Sequence, residues 1–520
     1  MPNAHFSTGK KIAFTAVMFL YINLVLTIFW ILKPLKKSLF IGQYDGDATF
    51  KLGSMEMLGS HAELLAKGMN LVIAFLLVVF LTMVTRLAKR QVLTYTCMGL
   101  VIAMTVYFSF QINNPSELTV WLFYWFGDLY ISLMLAAFFS FLHDTVDLKN
   151  AKRLYGFIVL GAVSGGAIGS TYFRIEEMTN QQWLHVVIGI GVVICLLAAA
   201  AGWMAKTIPH NEPDLTPDEV PKKKFNAAIE GASLVFKSRY LIAIAGIVGF
   251  YEITSEVLDF QFTAMSERFV DRSELGNHFG TVFAIGNIAA LVIQLGFSIF
   301  AANFPKYRIH WILLALPLSI ALSSLFFILA PILIAGSLLK ISDSTFAYSV
   351  NQTGRETLYN PLSRQEKYVA RAFVEVFVQR TGKVAALFIA LLVPIFLSTR
   401  NEAGQLETSL LGLQLLGGFT CIIIALWFYC VRIVGRKFES LEREQKDQTE
   451  PDTAHLAKRR NNPAPARPSD QTARRRFRAA WFSEFCRWRC GGALPSASLC
   501  AASCRQPACP SGSPAGRYPR

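Results

Sequence analysis

The chain has 520 residues, of which 53% are hydrophobic, 13% aromatic and only 16% charged, with a mean hydropathy of +0.40. These values exclude an ordinary soluble domain and indicate a polytopic membrane protein. The formal charge of +15 does not imply a nucleic-acid partner, because residues 451–520 hold 13 Lys and Arg against 3 Asp and Glu, leaving only about +5 on the rest.

A run of about 20 apolar residues crosses a bilayer as a helix. On that basis spans are predicted near residues 12–32, 64–85, 92–110, 119–142, 155–174 and 183–204, then 241–265, 278–302, 310–329, 331–350, 383–399 and 409–431. The first run is too long for a signal-peptide core and is expected to be retained. Ala330 and Pro331 supply the only break between the ninth and tenth.

The first span is followed by Lys33, Lys36 and Lys37, within the stretch Leu32 to Phe40. Assigning the connections alternately to the two sides puts most loop lysines and arginines on one side together with both termini, among them Arg86, Lys89, Lys149, Lys222 and Arg308. That side is expected to be cytoplasmic. The lysines after span one fall on the other side, at the mouth of whatever the helices enclose, so an anionic partner is expected for them.

Prolines and acidic residues, then Lys222 to Lys224, mark residues 207–226 as a cytoplasmic linker. It divides the chain into a six-helix half at 1–206 and another at 227–440. The expected fold is therefore an all-α integral membrane protein of about twelve transmembrane helices in two halves, major-facilitator-like, with substrate near the midplane. Residues 441–520 are expected to form a disordered basic tail, because the Arg, Pro, Ala, Ser and Cys that come to dominate it have no apolar period.

Charges inside spans are costly and tend to mark substrate or ion routes. Asp128 lies in the fourth span, Glu252, Glu256 and Asp259 in the seventh, Lys340 and Asp343 in the tenth, and Lys67 at the start of the second. Spacings of four and three place Glu252, Glu256 and Asp259 on one helical face. Internal ion pairing that fixes helix packing is the alternative role. A second constellation runs from Arg355 to Leu362 and on to Arg371, Glu375, Arg380 and Lys383. Arg371 and Lys383, close to the eleventh span, are the better placed for anion contact, although a topogenic basic loop explains many of these charges.

Enzymatic patterns are not found. The Ser164 to Ser170 run resembles a phosphate loop only superficially, since it lies within a span and lacks the Gly-Lys-Ser/Thr ending. Its small residues are expected to let helices approach closely. Four of the nine cysteines fall in apolar spans and five in the last 35 residues, with no zinc or disulfide spacing. No cofactor and no metal is expected, and the protein is not expected to be an enzyme.

Several stretches resemble the nucleotide (ATP/ADP) translocases of intracellular bacteria and plastids. Leu32 to Leu39 is similar to that family's end of helix one, and Phe123 to Leu129 to its aromatic run ending in Glu-Leu. Ala151 to Tyr155, Tyr251 to Asp259, and Arg355 to Leu362 resemble further motifs, the last being the most specific. The likeness covers about residues 10–435. It implies a transport role for Lys36, Asp128, Asp259 and either Lys383 or Arg371. The chain departs from the pattern in having aspartate where the family has glutamate at 128 and 259, lysine at 37 where the acid falls, and Gln261-Phe262-Thr263 in place of Trp-Lys.

The expectation is thus an inner-membrane nucleotide carrier working by alternating access. Substrate binding is assigned to Lys33, Lys36, Lys37, Asp128, Asp259, Arg371 and Lys383, and gating or ion pairing to Glu252, Glu256 and Asp343. Tyr21, Trp125 and Tyr130 could stack on a base, although aromatic residues at a membrane boundary are more often interface anchors. The partners are a nucleotide and the bilayer, with no nucleic acid, and a monomer is expected. Two rivals are a proton-coupled carrier of another solute and a non-transporting receptor or scaffold.

Overall fold

The computed structural model describes residues 8–44, 49–53, 55–70, 72–73, 90–145, 148–205, 232–303, 309–359, 361–362, 370–371, 373–400 and 406–461. The expected linker at 207–226 and most of the second span lie outside these residues. Among the described residues, eight helices are long and apolar enough to cross a membrane.

The first half comprises α1 (Thr8–Gln43), α2 (residues 59–70), α3 (Arg90–Gln111), α4 (Glu117–Thr145), α5 (Leu148–Ile175) and α6 (Asn180–Ala205). The second comprises α7 (Arg239–Phe269), α8 (Leu275–Asn303), α9 (Ile309–Leu329) and α10 (Leu333–Phe346), the last running through a π-helical turn at Ala347–Asn351 into α11 (Gln352–Leu358). A second π-helical turn, Val374–Val378, opens α12 (Gln379–Leu397), and α13 covers Leu410–Asn461. The break at residues 330–332 falls where Pro331 removes a donor.

Two expectations change. Helix α1 does not end at residue 32 but continues through Pro34 to Gln43. The apolar residues Leu35, Phe40 and Ile41 all bury on folding, which offsets the cost of an internal proline. Lys33, Lys36 and Lys37 are therefore inside a helix, with Lys36 5% and Lys37 3% exposed, and not in a loop where topogenic charge collects. The segment read as a disordered tail from 441 begins as helix, since α13 extends to Asn461; Glu, Arg, Gln and Lys there have good helix propensity. Residues 462–520 lie outside the described residues.

Each half has its own apolar core, one built on α1, α3, α4 and α6 and the other on α7, α9, α10, α12 and α13. Close approach of α1 and α5 organises the first. A Cβ at Gly165 would fall 2.9 Å from the backbone carbonyl carbon of Asn23, and one at Gly169 would fall 2.9 Å from Cα of Thr27, so only glycine permits this contact. Asn23 donates from Nδ2 to the Gly161 carbonyl at 3.2 Å and to Ser164 at 2.9 Å. The expected role of that small-residue run is the one the structure shows.

A third, aromatic-rich core joins the halves, with Trp30, Phe40 and Tyr124 on one side and Phe262, Phe279 and Phe283 on the other. At the same end of the molecule two short antiparallel hairpins follow α1 and α12: β1 (Phe50–Leu52) with β2 (Met55–Met57), and β3 (Ser398–Arg400) with β4 (Leu406–Thr408). Arg400 bonds Glu56 across the halves at 3.0 Å. Beside the first hairpin, Tyr44 donates to Glu117 at 2.7 Å and accepts from Trp121 at 2.6 Å; burial, with that bond to Glu117, pushes its phenol above the ordinary range.

Candidate functional site: a charged network between the halves

A helix turns about 100° per residue, so Lys36 and Lys37, adjacent in sequence, project in different directions. Lys36 reaches α4, where it pairs with Asp128 and lies 4.2 Å from the centroid of the Tyr124 ring. Gly127 makes room for it, because a Cβ there would stand 2.6 Å from Lys36 Cδ. Asp128 also accepts from Asn70 Nδ2 at 3.0 Å. This cluster belongs wholly to the first half.

Lys37 turns to the other half. It donates to both oxygens of Glu63, at 2.9 and 3.0 Å, and to Asp259 Oδ2 at 3.2 Å. Tyr124 completes the Glu63 site with a hydroxyl bond of 2.9 Å. Asp259 is the hub: besides Lys37 it pairs with Lys67 of α2 and, at 2.9 Å, with Lys340 of α10. Further along, Lys67 is 3.5 Å from Glu256, and Lys383 is 3.6 Å from Glu256 and 3.8 Å from Glu252. Asp343 accepts from Ser255 at 2.9 Å and stands 3.5 Å from Lys340.

Lys33 differs from the rest. It has no carboxylate partner among the described residues and lies instead over aromatic rings, 4.4 Å from the centroid of Trp30 and 4.9 Å from that of Phe283 across the halves. A cation held on ring faces keeps its donors available to an anion.

The two halves contribute unequally. The first supplies Lys33, Lys36, Lys37 and Lys67 against Glu63 and Asp128, and the second supplies Lys340 and Lys383 against Glu252, Glu256, Asp259 and Asp343. With every group ionised, the first half is formally cationic and the second anionic by the same amount. Buried opposite charges in a medium of low dielectric constant attract strongly, so the network draws the halves together.

Of the residues singled out from sequence, the structure brings together Lys36 with Asp128, and Lys37, Asp259, Lys383, Glu252, Glu256 and Asp343 in one connected chain of ion pairs. It pairs Arg371 with Glu375 at 2.8 Å, both more than a third exposed. Glu63 was missed because it stands just ahead of the apolar window that defines span two. Lys67 and Lys340 were visible as charges within spans, but no local spacing reveals partners 192 and 81 positions away. The aromatic expectation also changes: Tyr21 and Tyr130 are buried in the core of the first half, and Tyr130 donates to the Val25 carbonyl at 3.0 Å. Trp125 is half-buried and bonds the Ala66 carbonyl at 3.1 Å.

Two helical halves that meet over a charged network define a multi-pass membrane protein of major-facilitator-like fold. The crystal structure of the nucleoside transporter NupG superposes on it with a TM-score of 0.50 at 12% identity, covering 79% of this chain and 98% of that one. A mutant of the same transporter gives 0.51 at 10% identity, covering 80% and 99%. The chain belongs to the TLC ATP/ADP transporter family, whose model matches residues 68–438. It is not an enzyme. That match takes in Asp128, α7 and Lys383, while the lysines of α1 lie ahead of it. ADP,ATP carrier protein 3 of Rickettsia bellii is 22% identical over 380 residues, 64% of this chain and 73% of that one. The corresponding Rickettsia felis protein is 22% identical over 336 residues, 56% and 66%. A chloroplastic ADP,ATP carrier protein 1 of Arabidopsis thaliana is 22% identical over 380 residues, 66% and 58%. The chain thus spans between a little over half and three quarters of these relatives' lengths.

Proposed function

We propose that this protein carries a nucleotide, ATP or ADP, across the membrane by alternating access. The observation that supports this reading most directly is the hub at Asp259, where one carboxylate is shared by lysines of both halves. A polyphosphate offers those lysines charge-assisted bonds of the same kind. Taking Lys37 and Lys67 away from Asp259 and Glu256, it removes the attraction that holds the halves together, and the equilibrium between the two access states shifts by the difference in its affinity for them. Lys33, Lys36, Lys37 and Lys383 are the cations that would receive the phosphates, with Arg371 as a peripheral one. Asp128 and Asp259 hold the cations when no anion is bound, and Glu252, Glu256 and Asp343 are gating partners. The names of the Rickettsia, Chlamydia and plastid relatives agree with that substrate class.

The deciding measurement is uptake of labelled ATP into liposomes containing the purified protein, with unlabelled nucleotides, phosphate and sugars as competitors. Saturable uptake, blocked by nucleotides and not by sugars, is expected. Uptake that follows the pH gradient and ignores nucleotides would replace this reading with a proton-coupled carrier of another solute.

We further propose, on the strength of the loop-charge asymmetry, that both ends of the membrane domain and residues 207–226 are cytoplasmic, and, from the bacterial relatives, that the membrane is the inner one. Single cysteines in that linker are expected to resist an impermeant thiol reagent in intact cells, and ready labelling would invert the scheme.

A further inference from the structure

The end of α7 meets the start of α2 at a contact that the charged network does not use. A helix leaves its first backbone N–H groups without intrahelical partners, and they are usually capped by a side chain close in sequence. In α2 the Ser60 N–H is taken instead by the carboxylate of Glu267, from the other half, at 3.2 and 3.1 Å to its two oxygens. The fit is close on every side. A Cβ on Gly59 would stand 2.8 Å from Glu267 Oε1 and 2.9 Å from the Ile41 carbonyl oxygen, and one on Gly42 would stand 3.2 Å from Arg272 Cγ. Two glycines thus allow the end of α7 to seat against the end of α1 and the first turn of α2. The neighbouring residue Arg268 is anchored within its own half, to Glu407 at 2.7 Å and to the Thr408 carbonyl at 2.9 Å, which fixes the direction from which Glu267 approaches.

We propose that Glu267 is the latch of the hairpin end: a carboxylate of the second half that caps α2 of the first, and whose release accompanies opening at this end. The inference rests on the alternating-access reading but not on the identity of the substrate. Three features make the contact a latch. It is a charge-assisted bond at a helix N-terminus, favoured by the helix dipole. It lies within one turn of α2 from Glu63, at the outer edge of the charged network. When it parts, the Ser60 N–H and the carboxylate can both be hydrated, so the open state carries no buried orphan and the bond is reversible. The exposed Glu56–Arg400 pair beside it contributes less, as surface pairs do.

The test measures the distance between the halves at this end directly. Spin labels at Asn114 and Ser273, both exposed, would be placed on the full chain in lipid nanodiscs, in a background without native cysteines. The unsubstituted chain is expected to give one dominant short distance. Glu267→Ala should add a longer one, moving the closed-to-open ratio about tenfold, with Glu267→Gln intermediate because its amide oxygen still accepts. Ser60→Pro removes the donor within the first turn of α2, whose N–H groups have no intrahelical partner; it should act in the same direction, and the two changes combined should not simply add. Unaltered distances in Glu267→Ala with normal thermal stability, or simple addition of the two effects, would overturn the latch. Because the distances are read without substrate, a failure of nucleotide uptake would leave this result standing and refute only the substrate assignment.

Discussion

Asp128 and Asp259 are both aspartates within a span, and each is bonded to a lysine of α1, one residue apart. Their surroundings differ. Asp128 is about a quarter exposed and its partners, Lys36 and Asn70, lie in its own half. Asp259 is 12% exposed, and two of its three lysines come from across the interface. The comparison shows how one turn of helix serves two purposes: Lys36 completes a local pair, while its neighbour ties the halves together.

The largest effect expected from this contrast is on Asp259→Asn. Removing one partner from a buried ionic cluster leaves uncompensated charge and costs about 3 to 5 kcal/mol, which should appear as a sharp fall in the thermal unfolding temperature of the purified protein. Lys37, Lys67 and Lys340 each retain a second carboxylate, in Glu63, Glu256 and Asp343, so the loss should stay near the lower figure. Adding Lys340→Met removes one surplus ammonium and should recover part of it. A fall of equal size in Asp128→Asn would break the comparison, because Lys36 there keeps the face of Tyr124.

Next in size is the effect on binding. Lys36→Ala should weaken nucleotide binding by about 1.5 to 3 kcal/mol, the worth of a charge-assisted contact, or roughly ten- to a hundredfold. Lys36→Arg should lose less, since it keeps the charge while changing donor geometry. Asp128→Asn should slow turnover more than it raises the half-saturating concentration. Saturation curves at matched protein levels separate these outcomes, and an unchanged half-saturating concentration in Lys36→Ala would remove that lysine from the binding site.

What the sequence made legible, and what it did not, follows the same division between local and distant. Apolar length located the eight spans seen among the described residues, and the spacing of Glu252, Glu256 and Asp259 placed three acids on one face because helical periodicity is local. The end of α1 was not legible. Three lysines and Pro34 have the composition of a helix terminus, and only the packing of α4, α7 and α8 around them makes continuation favourable. The hub at Asp259 depends on Lys37, Lys67 and Lys340, which come from three different helices. Nothing within one helix records which side chain of another it will meet.

Lys33 gives the smallest expected change in stability and the sharpest separation of folding from binding. Every other lysine of the network takes an ion-pair partner from at least one carboxylate when it is removed, so a loss of transport in those variants mixes a damaged fold with a damaged site. Lys33 sits on the rings of Trp30 and Phe283 and, among the described residues, has no carboxylate to strand. Replacing it with methionine, of similar length and able to make favourable sulfur–aromatic contacts, removes a cation–π attraction of about 1 kcal/mol and leaves the rings covered. Lys33→Met should therefore unfold within a few degrees of the unsubstituted chain while binding nucleotide about tenfold more weakly. The same substitution at Lys37 should lower both quantities together, because Glu63 and Asp259 each lose a partner. If Lys33→Met transports with an unaltered half-saturating concentration, its ammonium only packs against the aromatic core, and the phosphate-binding role passes to the paired lysines alone.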